Sequence, residues 1–564
     1  MVSNPPPPAQ IVQVRAAQPV QGTRLRLAGT EIKSPWLWVG SDQRQPDQLW
    51  LPLDVLIARF GVQRQRSTSG DQLEWYGQKA ALNSFQQRTI DDEVAIDVSN
   101  WLQTLGVKLN RSGTNLAVDL PAPQLLELRR GKGNTARRLV LDLSGPALLQ
   151  RQGNDLVLEL RASPTQEGQL RALGVKPRRG QSTLTLQGQA TSLSTLTLAG
   201  PWRIVLDGLS SAAEPSLGGR DPLAASLLNP TVQHLVRKGL VLDRRVVKVG
   251  VKPLVIYRVG ANPDAQDLQL QPLAPISGQQ GLRFLGQLAQ PSGALFAING
   301  GFFNRVRQLP LGAVKRNGTW LSGPILNRGA IGWSGTERLQ FGRLQLLEQL
   351  TVEGGRSWRL GYLNSGYVQR GLSRYNRAWG PVYRALSGNE QAITVVDGNV
   401  RAFHDKAALN RGVPIPPQAD LVVARGGEPV PAKPGQRVAI QTNSSNPLGN
   451  QQQVLGGGPL LLQGGQVVLN GRLEGFSSGF LALAAPRTVV AQDRNRIWML
   501  TLEGAGSSDP TLLESSLALR QLGISDALNL DGGSSTSMLV ANQLVMTGRG
   551  MAPRVQNALG LVPK

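Results

Sequence analysis

The chain has 564 residues and a formal net charge of +23, with 60 Lys and Arg against 37 Asp and Glu. It contains no cysteine, which excludes disulfides, thiolate metal sites and cysteine nucleophiles. No apolar run reaches the length of a transmembrane helix. The length corresponds to roughly three or four domains. Glycine (65) and proline (37) are abundant and only 17% of residues are charged, which favours short strands and turns over long helices.

Two segments open the chain. Residues 1–22 are rich in Pro and Gln without periodicity, which predicts a flexible tail. Residues 23–106 combine short alternating strands with short helical patterns at 51–57, ending at Gly61, and at 101–102, before Gly106. This pattern predicts a small α+β module. It resembles the stalk-type domain at the start of copper amine oxidases, without the copper ligands.

Residues 107–210 contain an internal echo. RLVLDLSG at 138–145 recurs as RIVLDGLS at 203–210, and each copy predicts an amphipathic strand that ends in a turn. The segment resembles the AMIN-type β-module of bacterial envelope proteins, which targets partners to the cell wall. A β-sandwich spacer is the alternative interpretation. Residues 211–230, with Glu-Pro, Gly-Gly and Asp-Pro pairs, predict a linker.

Residues 231–564 consist of many short strands separated by glycines. The best helical pattern covers 510–522 and ends before Gly523. The predicted fold class of the chain is therefore α+β. We expect a C-terminal domain with mixed sheets and several helices, preceded by mostly-β modules.

Four glycine-rich stretches of the C-terminal region could carry chemistry. They are AINGG at 297–301, LGGGP at 455–459, RTVVAQD at 487–493, and NLDGGSS at 529–535 with RVQNA at 554–558 close behind. Adjacent glycines let successive amides face an anion, and Arg487 and Arg554 offer the fork that matches phosphate. Each stretch alone predicts a turn, whereas together they predict one anion-binding cleft.

The four stretches resemble, in order, the signatures of the phosphodiester glycosidase family, and the resemblance covers roughly 231–564. It implies hydrolysis of a sugar-1-phosphodiester in a glycan, glycolipid or nucleotide-sugar-like substrate, through an oxocarbenium-like state. Three positions depart from the pattern. Ser534 stands where a third glycine is usual, and Ala491 and Gln492 replace a glycine and, in one family member, a histidine.

The resemblance and the chemistry together suggest roles for individual residues. Asp531 is predicted to be the catalytic carboxylate, with Asn299 and Arg487 as further catalytic residues. The predicted substrate-binding residues are Gly300, Gly301, Gly457, Gly458, Thr488, Asp493, Gly532, Gly533, Ser535, Arg554 and Asn557.

The sequence leaves open whether the site binds a metal ion. Only two histidines occur, which argues against a His/Cys zinc site, whereas Ca or Mg could bind Asp531, Asp493 and backbone carbonyls. One competing motif, GFSSG at 475–479, matches the GxSxG of α/β-hydrolases. Because no histidine follows Ser477, the sequence predicts a glycine-bounded loop instead.

The positive charge favours anionic partners. We expect a phosphorylated glycan or sugar phosphodiester in the cleft, and an anionic envelope polymer at the N-terminal modules. No zinc-finger, basic-zipper or RNP signature supports a nucleic-acid partner. An enzyme is the first hypothesis, and non-catalytic binding of phosphorylated exopolysaccharide or cell-envelope glycan is the alternative. We expect a cell-envelope, periplasmic or secreted location, although residues 1–20 lack the apolar core of a signal peptide.

Overall fold

A computed structural model describes residues 19–40, 47–67, 70–90, 93–131, 138–152, 155–187, 193–207, 222–275, 278–305, 307–505, 508–548 and 552–564. Most of the predicted tail and much of the predicted linker lie outside these residues. In the described part, the first strand begins at Val20, inside the predicted tail. A helix begins at Pro222, inside the predicted linker.

The first module is a seven-stranded mixed sheet with a three-stranded sheet beside it. The strands are β1 (Val20–Leu27), β2 (Thr30–Val39), β3 (Gln48–Pro52), β4 (Gln63–Ser67), β5 (Gly70–Trp75), β6 (Gln78–Ala81), β7 (Gln87–Ile90), β8 (Glu93–Asp97), β9 (Lys108–Ser112) and β10 (Asn115–Asp119), and the helices are α1 (Leu53–Val55) and α2 (Ser99–Gln103). The large sheet has the order β7-β8-β3-β2-β1-β10-β9. The predicted boundary at residue 106 is therefore too early, because β9 and β10 complete this sheet and β10 pairs in parallel with β1.

The helix predicted to start at residue 51 begins at Leu53, because Gln48–Pro52 forms β3, and it ends at the predicted glycine. After α1 the chain continues as a π-helical turn over Leu56–Phe60 and ends at Gly61, which has a φ of +82°. A left-handed residue at this position is typical of a helix end and suits glycine.

The second module consists of two four-stranded antiparallel sheets. Its elements are β11 (Leu125–Arg130), β12 (Arg138–Leu143), β13 (Leu149–Gln152), β14 (Asp155–Leu158), α3 (Pro164–Ala172), β15 (Pro177–Arg179), β16 (Leu184–Leu186), β17 (Ser194–Leu198) and β18 (Trp202–Asp207). The two echo segments are neighbours, because β12 pairs with β18 and places Arg138 opposite Asp207. The Arg138 guanidinium donates two hydrogen bonds to that carboxylate, at 2.6 and 2.8 Å. One buried apolar cluster runs from Leu25 to Leu206, so both modules share a core.

The C-terminal domain contains the remaining helices and strands. The helices are α4 (Pro222–Ser226), α5 (Pro230–Arg237), α6 (Leu285–Ala289), α7 (Lys406–Arg411), α8 (Ser478–Ala482) and α9 (Leu512–Gln521). The strands are β19 (Val241–Val249), β20 (Lys252–Ala261), β21 (Leu268–Leu273), β22 (Arg283–Phe284), β23 (Phe296–Asn299), β24 (Phe303–Asn304), β25 (Leu309–Pro310), β26 (Val314–Arg316), β27 (Thr319–Ser322), β28 (Gly329–Trp333), β29 (Gln340–Arg343), β30 (Leu346–Val352), β31 (Ser357–Leu363), β32 (Gly371–Asn376), β33 (Val382–Tyr383), β34 (Glu390–Val396), β35 (Asn399–His404), β36 (Val413–Pro414), β37 (Ala419–Arg425), β38 (Val438–Ser444), β39 (Gln453–Gly456), β40 (Leu460–Gln463), β41 (Gln466–Val467), β42 (Arg487–Gln492), β43 (Ile497–Gly504), β44 (Asp526–Asn529), β45 (Ser537–Val540), β46 (Gln543–Thr547), β47 (Arg554–Val555) and β48 (Ala558–Pro563).

Two sheets of this domain carry the glycine-rich stretches. A seven-stranded sheet has the order β19-β20-β43-β42-β44-β40-β41, and a five-stranded sheet has the order β21-β48-β23-β45-β46. Val490 and Leu528 from the first sheet share a buried cluster with Ile298 and Met538 from the second. This common core brings the ends of β23, β42 and β44 to one place.

The predicted α+β fold class is confirmed, because antiparallel and mixed sheets occur together with several helices. A further seven-stranded sheet, β35-β34-β37-β32-β31-β30-β38, is mixed through the parallel pair of β31 and β32. The predicted helix at 510–522 is α9. Thr511 and Glu514 form its capping box, and Gly523 follows it with a φ of +77°. Among the described residues, no helix is long and apolar enough to cross a bilayer.

Candidate active site

A cleft of 490 Å³ opens where β42 and β44 meet the loop that follows β23. Its walls combine one carboxylate, three guanidinium groups and several aromatic rings. The residues on which the argument depends are Asp531, Arg305, Arg328, Arg487, Phe302, Phe476 and Phe480. Charged groups that converge in a largely aromatic cavity are typical of a small-molecule site.

Asp531 lies just beyond the end of β44, as the sequence predicted. Its carboxylate accepts a hydrogen bond from the Gly532 amide at 3.1 Å, and Arg305 Nη2 lies 4.0 Å from its Oδ2. Burial raises the pKa of Asp531, while the positive charge of Arg305 and a hydrogen bond to Ser535 act in the opposite direction. A carboxyl whose pKa is raised in a cleft is a candidate for proton transfer or nucleophilic attack.

Asn299 lies behind the cleft and not in it. Its side chain is fully buried, and its Nδ2 donates to the Asp531 carbonyl at 2.7 Å. Its Oδ1 accepts from Thr488 Oγ1 at 2.7 Å and from the Ser537 amide at 3.0 Å. Neither side chain lines the cleft, so the structure gives no support to the predicted catalytic role of Asn299 or to the predicted substrate contact of Thr488. The two side chains hold the strand ends on which Asp531 is mounted.

The amides of Gly300 and Gly301 do not form the predicted anion nest. Gly300 N donates to the Asn557 carbonyl at 2.9 Å, and Gly301 N donates to Asn557 Oδ1 at 2.8 Å. Asn557 is buried and accepts the hydrogen bonds of both glycine amides, so it contacts protein instead of substrate.

Gly457 and Gly458 also use their amides within the protein, with the carbonyls of Gly329 and Asn529 as acceptors. A Cβ on Gly457 would lie 2.4 Å from the Asn529 carbonyl oxygen. The glycine run at 456–458 therefore permits close packing of strands. It does not contribute to the lining of the cleft, contrary to the prediction.

Gly532 and Gly533 do line the cleft, as predicted. Gly533 has a φ of +62°, and its amide donates to the Pro486 carbonyl at 2.8 Å. A Cβ on Gly532 would lie 2.9 Å from that same carbonyl oxygen. Ser534 follows in the cleft wall, and its buried hydroxyl has no hydrogen-bond partner among the described residues.

The two predicted arginines are separated by the structure. Arg487 lines the cleft, and its guanidinium also donates to the carbonyls of Leu483 and Pro510. Arg554 instead lines a small adjoining cavity and pairs with Asp54 of the first module at 3.7 Å. The prediction that Arg554 shares the cleft with Arg487 is therefore wrong.

Asp493 is remote from the cleft. It caps the turn between β42 and β43, accepting from the amides of Asn495 and Arg496 and from Trp498 Nε1. Arg487 begins β42 and Asp493 follows its last residue, so the two lie at opposite ends of the strand. Asp493 consequently cannot share a Ca or Mg ion with Asp531. In the part of the chain that the structure describes, no three His, Asp or Glu residues are grouped to hold a metal.

Two arginines of the cleft were not predicted. Arg305 donates from Nη2 to Ser535 Oγ at 3.2 Å and lies beside Asp531. The guanidinium of Arg328 packs over the rings of Phe302 and Phe476, with its central carbon 5.2 and 4.2 Å from the ring centroids. Burial lowers the pKa of Arg328 to about 10, which still leaves it charged at neutral pH. Arg305 follows the AINGG stretch closely, and this proximity is the one sequence signal that could have identified it.

The GFSSG loop supplies the aromatic wall. Phe476 and Phe480 stack with their centroids 4.7 Å apart, and Phe302 packs against both. Ser477 caps α8, because its hydroxyl accepts a hydrogen bond from the Phe480 amide at 3.2 Å. The structure therefore supports the prediction of a glycine-bounded loop over that of a nucleophile elbow.

A family model described as phosphodiester glycosidase matches residues 390–562. The match contains Arg487, the Asp531 loop and Phe476, whereas Arg305 and Arg328 precede it. Residues 390–562 therefore form a phosphodiester glycosidase domain. The predicted resemblance is thereby confirmed for the C-terminal domain, and the AMIN-like and stalk-like modules are not part of this match.

Three solved structures are similar to this chain. A hypothetical protein from Synechocystis is 31% identical, with a TM-score of 0.57 over 97% of this chain and 99% of that one. A protein from Burkholderia pseudomallei is 16% identical (TM-score 0.45, 81% and 97% covered). The zebrafish N-acetylglucosamine-1-phosphodiester alpha-N-acetylglucosaminidase catalytic domain, auto-inhibited by its pro-peptide, is 13% identical (TM-score 0.34, 58% and 83% covered). No curated protein matches the chain.

The three departures from the phosphodiester glycosidase pattern differ in position. Ala491 is buried in the core, and Gln492 pairs with Asp526 at 3.1 Å and with the Leu339 carbonyl at 3.0 Å. Both lie toward the end of β42 that is remote from Asp531. Ser534 alone lines the cleft.

Proposed function

We propose that the chain hydrolyses a glycosyl phosphodiester, releasing the sugar and leaving a phosphomonoester on the remainder of the substrate. The observation that carries the proposal is the composition of the cleft. One buried carboxylate, Asp531, faces a space of 490 Å³ that is shared with three arginines and four phenylalanines. A sugar ring with an attached phosphodiester matches this combination in both charge and shape.

The arginines would bind the phosphodiester. Guanidinium groups match phosphate oxygens in geometry, and their charge would stabilise the dianionic monoester that leaves. Arg305 is the nearest of them to Asp531, at 4.0 Å between Nη2 and Oδ2. The phosphate would therefore lie on the Arg305 side of the carboxylate, with the sugar directed toward Phe302 and Phe476.

The bond that breaks is the one between the anomeric carbon and the phosphate oxygen. The electron pair of that bond leaves with the phosphate, and positive charge develops on the sugar ring. A water molecule supplies OH to the anomeric carbon and a proton to the released groups. Asp531 would act as base or as nucleophile, since either role needs a carboxylate beside the anomeric carbon. Because phosphate is a good leaving group, arginine contacts would replace much of the protonation that an alcohol needs.

We extend the proposal to the substrate class and the location. A glycan, glycolipid or nucleotide-sugar-like phosphodiester of the cell envelope fits the cleft, and the net charge of +23 favours anionic polymers nearby. The N-terminal modules would add contacts to such a polymer, in an envelope, periplasmic or secreted setting.

Release of free sugar tests the proposal. Wild-type chain and an Asp531→Asn variant would be incubated with UDP-N-acetylglucosamine and with a model N-acetylglucosamine phosphodiester. We expect sugar release by the wild type and none by the variant. Binding without release across several sugars would refute hydrolysis and favour the alternative, in which the cleft holds phosphorylated exopolysaccharide without turnover.

A further inference from the structure

A carboxylate of the first module contacts one of the cleft arginines. Asp54 belongs to α1, and its Oδ2 accepts a hydrogen bond from Arg305 Nη1 at 3.1 Å. Its Oδ1 lies 3.7 Å from Arg554 Nη2. These side chains are only 18–26% exposed, so water screens the pairs weakly.

Arg305 is held from both sides. Nη1 is directed to Asp54, and Nη2 is directed to Ser535 Oγ at 3.2 Å and faces Asp531 at 4.0 Å. Its backbone carbonyl also accepts from Arg64 Nη1 at 3.2 Å, which is a second contact from the first module. The guanidinium plane is therefore fixed by a carboxylate that lies 251 positions away in the chain.

The first module also forms part of the cleft wall. Val94 of β8 lines the same cavity as Asp531. Asp54 lines the adjoining small cavity, whose walls include Arg305 and Ser534 of the main cleft. The cleft is thus built by both parts of the chain.

We propose that Asp54 is a positioning residue that orients Arg305 toward Asp531, so that the N-terminal module completes the active site. This inference rests on the proposed function. It assigns the module a role in turnover, in addition to the contact with an anionic envelope polymer expected of the N-terminal modules. The chemistry that depends on it is the delivery of the substrate phosphate to the side of Asp531 where the anomeric carbon must lie.

Opposing effects make the test specific. Asp54 carries a negative charge near the arginines, so removing it makes the cleft more attractive to anions. The same change frees Arg305 to leave its position, which lowers turnover. A residue that only stabilises the fold would lose turnover and anion binding together.

The experiment uses the full chain with Asp54→Asn, Asp54→Glu and the control Glu31→Gln, whose exposed partner is Arg24 on the same module. We expect Asp54→Asn to lower kcat about tenfold. It should bind inorganic phosphate about twofold to fivefold more tightly by calorimetry, because a repelling charge is gone. Asp54→Glu should recover most of the turnover, and Glu31→Gln should match the wild type in both measurements.

The pH profile supplies a second readout. The charged groups that face Asp531 are Arg305, Arg328 and, at longer range, Asp54. Asp54→Asn removes the smaller influence of the Asp54 charge but frees Arg305, whose positive charge has the larger effect on the pKa of Asp531, so the limb of the kcat/KM profile that belongs to Asp531 should move to higher pH.

Two results would overturn the inference. One is an Asp54→Asn variant with unchanged kcat and unchanged phosphate affinity. The other is a parallel loss of kcat, phosphate affinity and melting temperature, which would make Asp54 a structural residue only. If the wild type releases no sugar, the proposed function fails, while tighter phosphate binding by Asp54→Asn would still support the inferred contact with Arg305.

Discussion

The buried carboxylate of Asp531 links activity to stability. Its pKa is raised in the folded state, chiefly by burial, so folded protein holds the proton more tightly than unfolded protein does. In the window between the ordinary Asp pKa and the raised value, the folded state binds more protons, and the free energy of unfolding falls as pH rises. Ionised Asp531 is thus a cost to the fold that its function requires.

The Asp531→Asn variant should separate the effect of the carboxylate on activity from its effect on stability. We expect turnover to fall at least about 10²-fold, because a neutral amide can act neither as base nor as nucleophile. The variant should nevertheless melt at a higher temperature than the wild type near neutral pH, with a smaller difference at about pH 4. Thermal melts between about pH 4 and neutral pH would measure the difference in melting temperature. A variant that melts below the wild type at neutral pH would contradict the prediction.

Asn299 should behave as a structural residue. Asn299→Ala removes the acceptor of Thr488 Oγ1 and of the Ser537 amide, and the donor to the Asp531 carbonyl. We expect a loss of about 3 kcal/mol in the free energy of unfolding, since buried groups lose their partners. Denaturant unfolding measures the loss. Thr488→Ser keeps the hydroxyl and serves as the matched control, so an equal loss in both variants would count against the Asn299 network.

At the scale of single residues, the sequence predicts well that Asp531 and the two glycines after it lie in the cleft. It predicts poorly which arginines and amides are available to contact an anion. Asp531, Gly532 and Gly533 are adjacent in the chain, so one motif places all three in the cleft. The motif at 299–301 does not reveal that Asn557 occupies both glycine amides. Arg328 reaches the cleft only through tertiary packing, without any local pattern to announce it.

Among the elements, β42 shows why a linear motif misleads. The RTVVAQD stretch suggests that its Arg and Asp act together. A strand advances about 3.3 Å per residue, so the six residues of β42 place these side chains roughly 20 Å apart. One end of the strand therefore serves the cleft, and the other end caps a turn.

The N-cap of the short helix α8 offers a test of whether Ser477 of the GFSSG loop is a helix cap or a nucleophile. Ser477→Ala removes the N-cap of α8, which costs about 1 kcal/mol in stability. We expect turnover to fall by no more than about fivefold, because the hydroxyl caps a helix and takes no part in chemistry. A Ser nucleophile would lose several thousand-fold. Steady-state rates with the model phosphodiester distinguish the two, and Ser478→Ala in the same loop is the control.

Over the whole molecule, charge should govern encounter with substrate. With a net charge of +23, attraction to an anionic phosphodiester weakens as salt is added. We expect KM to rise several-fold, about threefold to tenfold, between about 0.05 and 0.5 M NaCl, with little change in kcat. Binding of a neutral sugar, followed by calorimetry over the same range, is the control. A KM independent of salt would contradict the argument.

The organisation of the modules is predictable only in part. The α+β class and the echo follow from alternation and turns, which are local signals. The boundary at 106 is wrong because β10 joins β1 across about 90 residues, and parallel pairing over that distance leaves no mark in the sequence. The shared core of the two modules is hidden for the same reason, since Leu25 and Leu206 look like ordinary strand residues.

The bonds around Asn299 also decide when the protein can become active during its synthesis. They join residues that are separated by 189, 232 and 238 positions. Contacts so far apart form late, because a long loop must close before they are made. A nascent chain that has not yet delivered Ser537 lacks the amide that donates to Asn299 Oδ1, and with it part of the network that holds Asp531 in place. The cleft therefore forms only after Ser537 has left the ribosome, and translation products that stop before it would carry no activity.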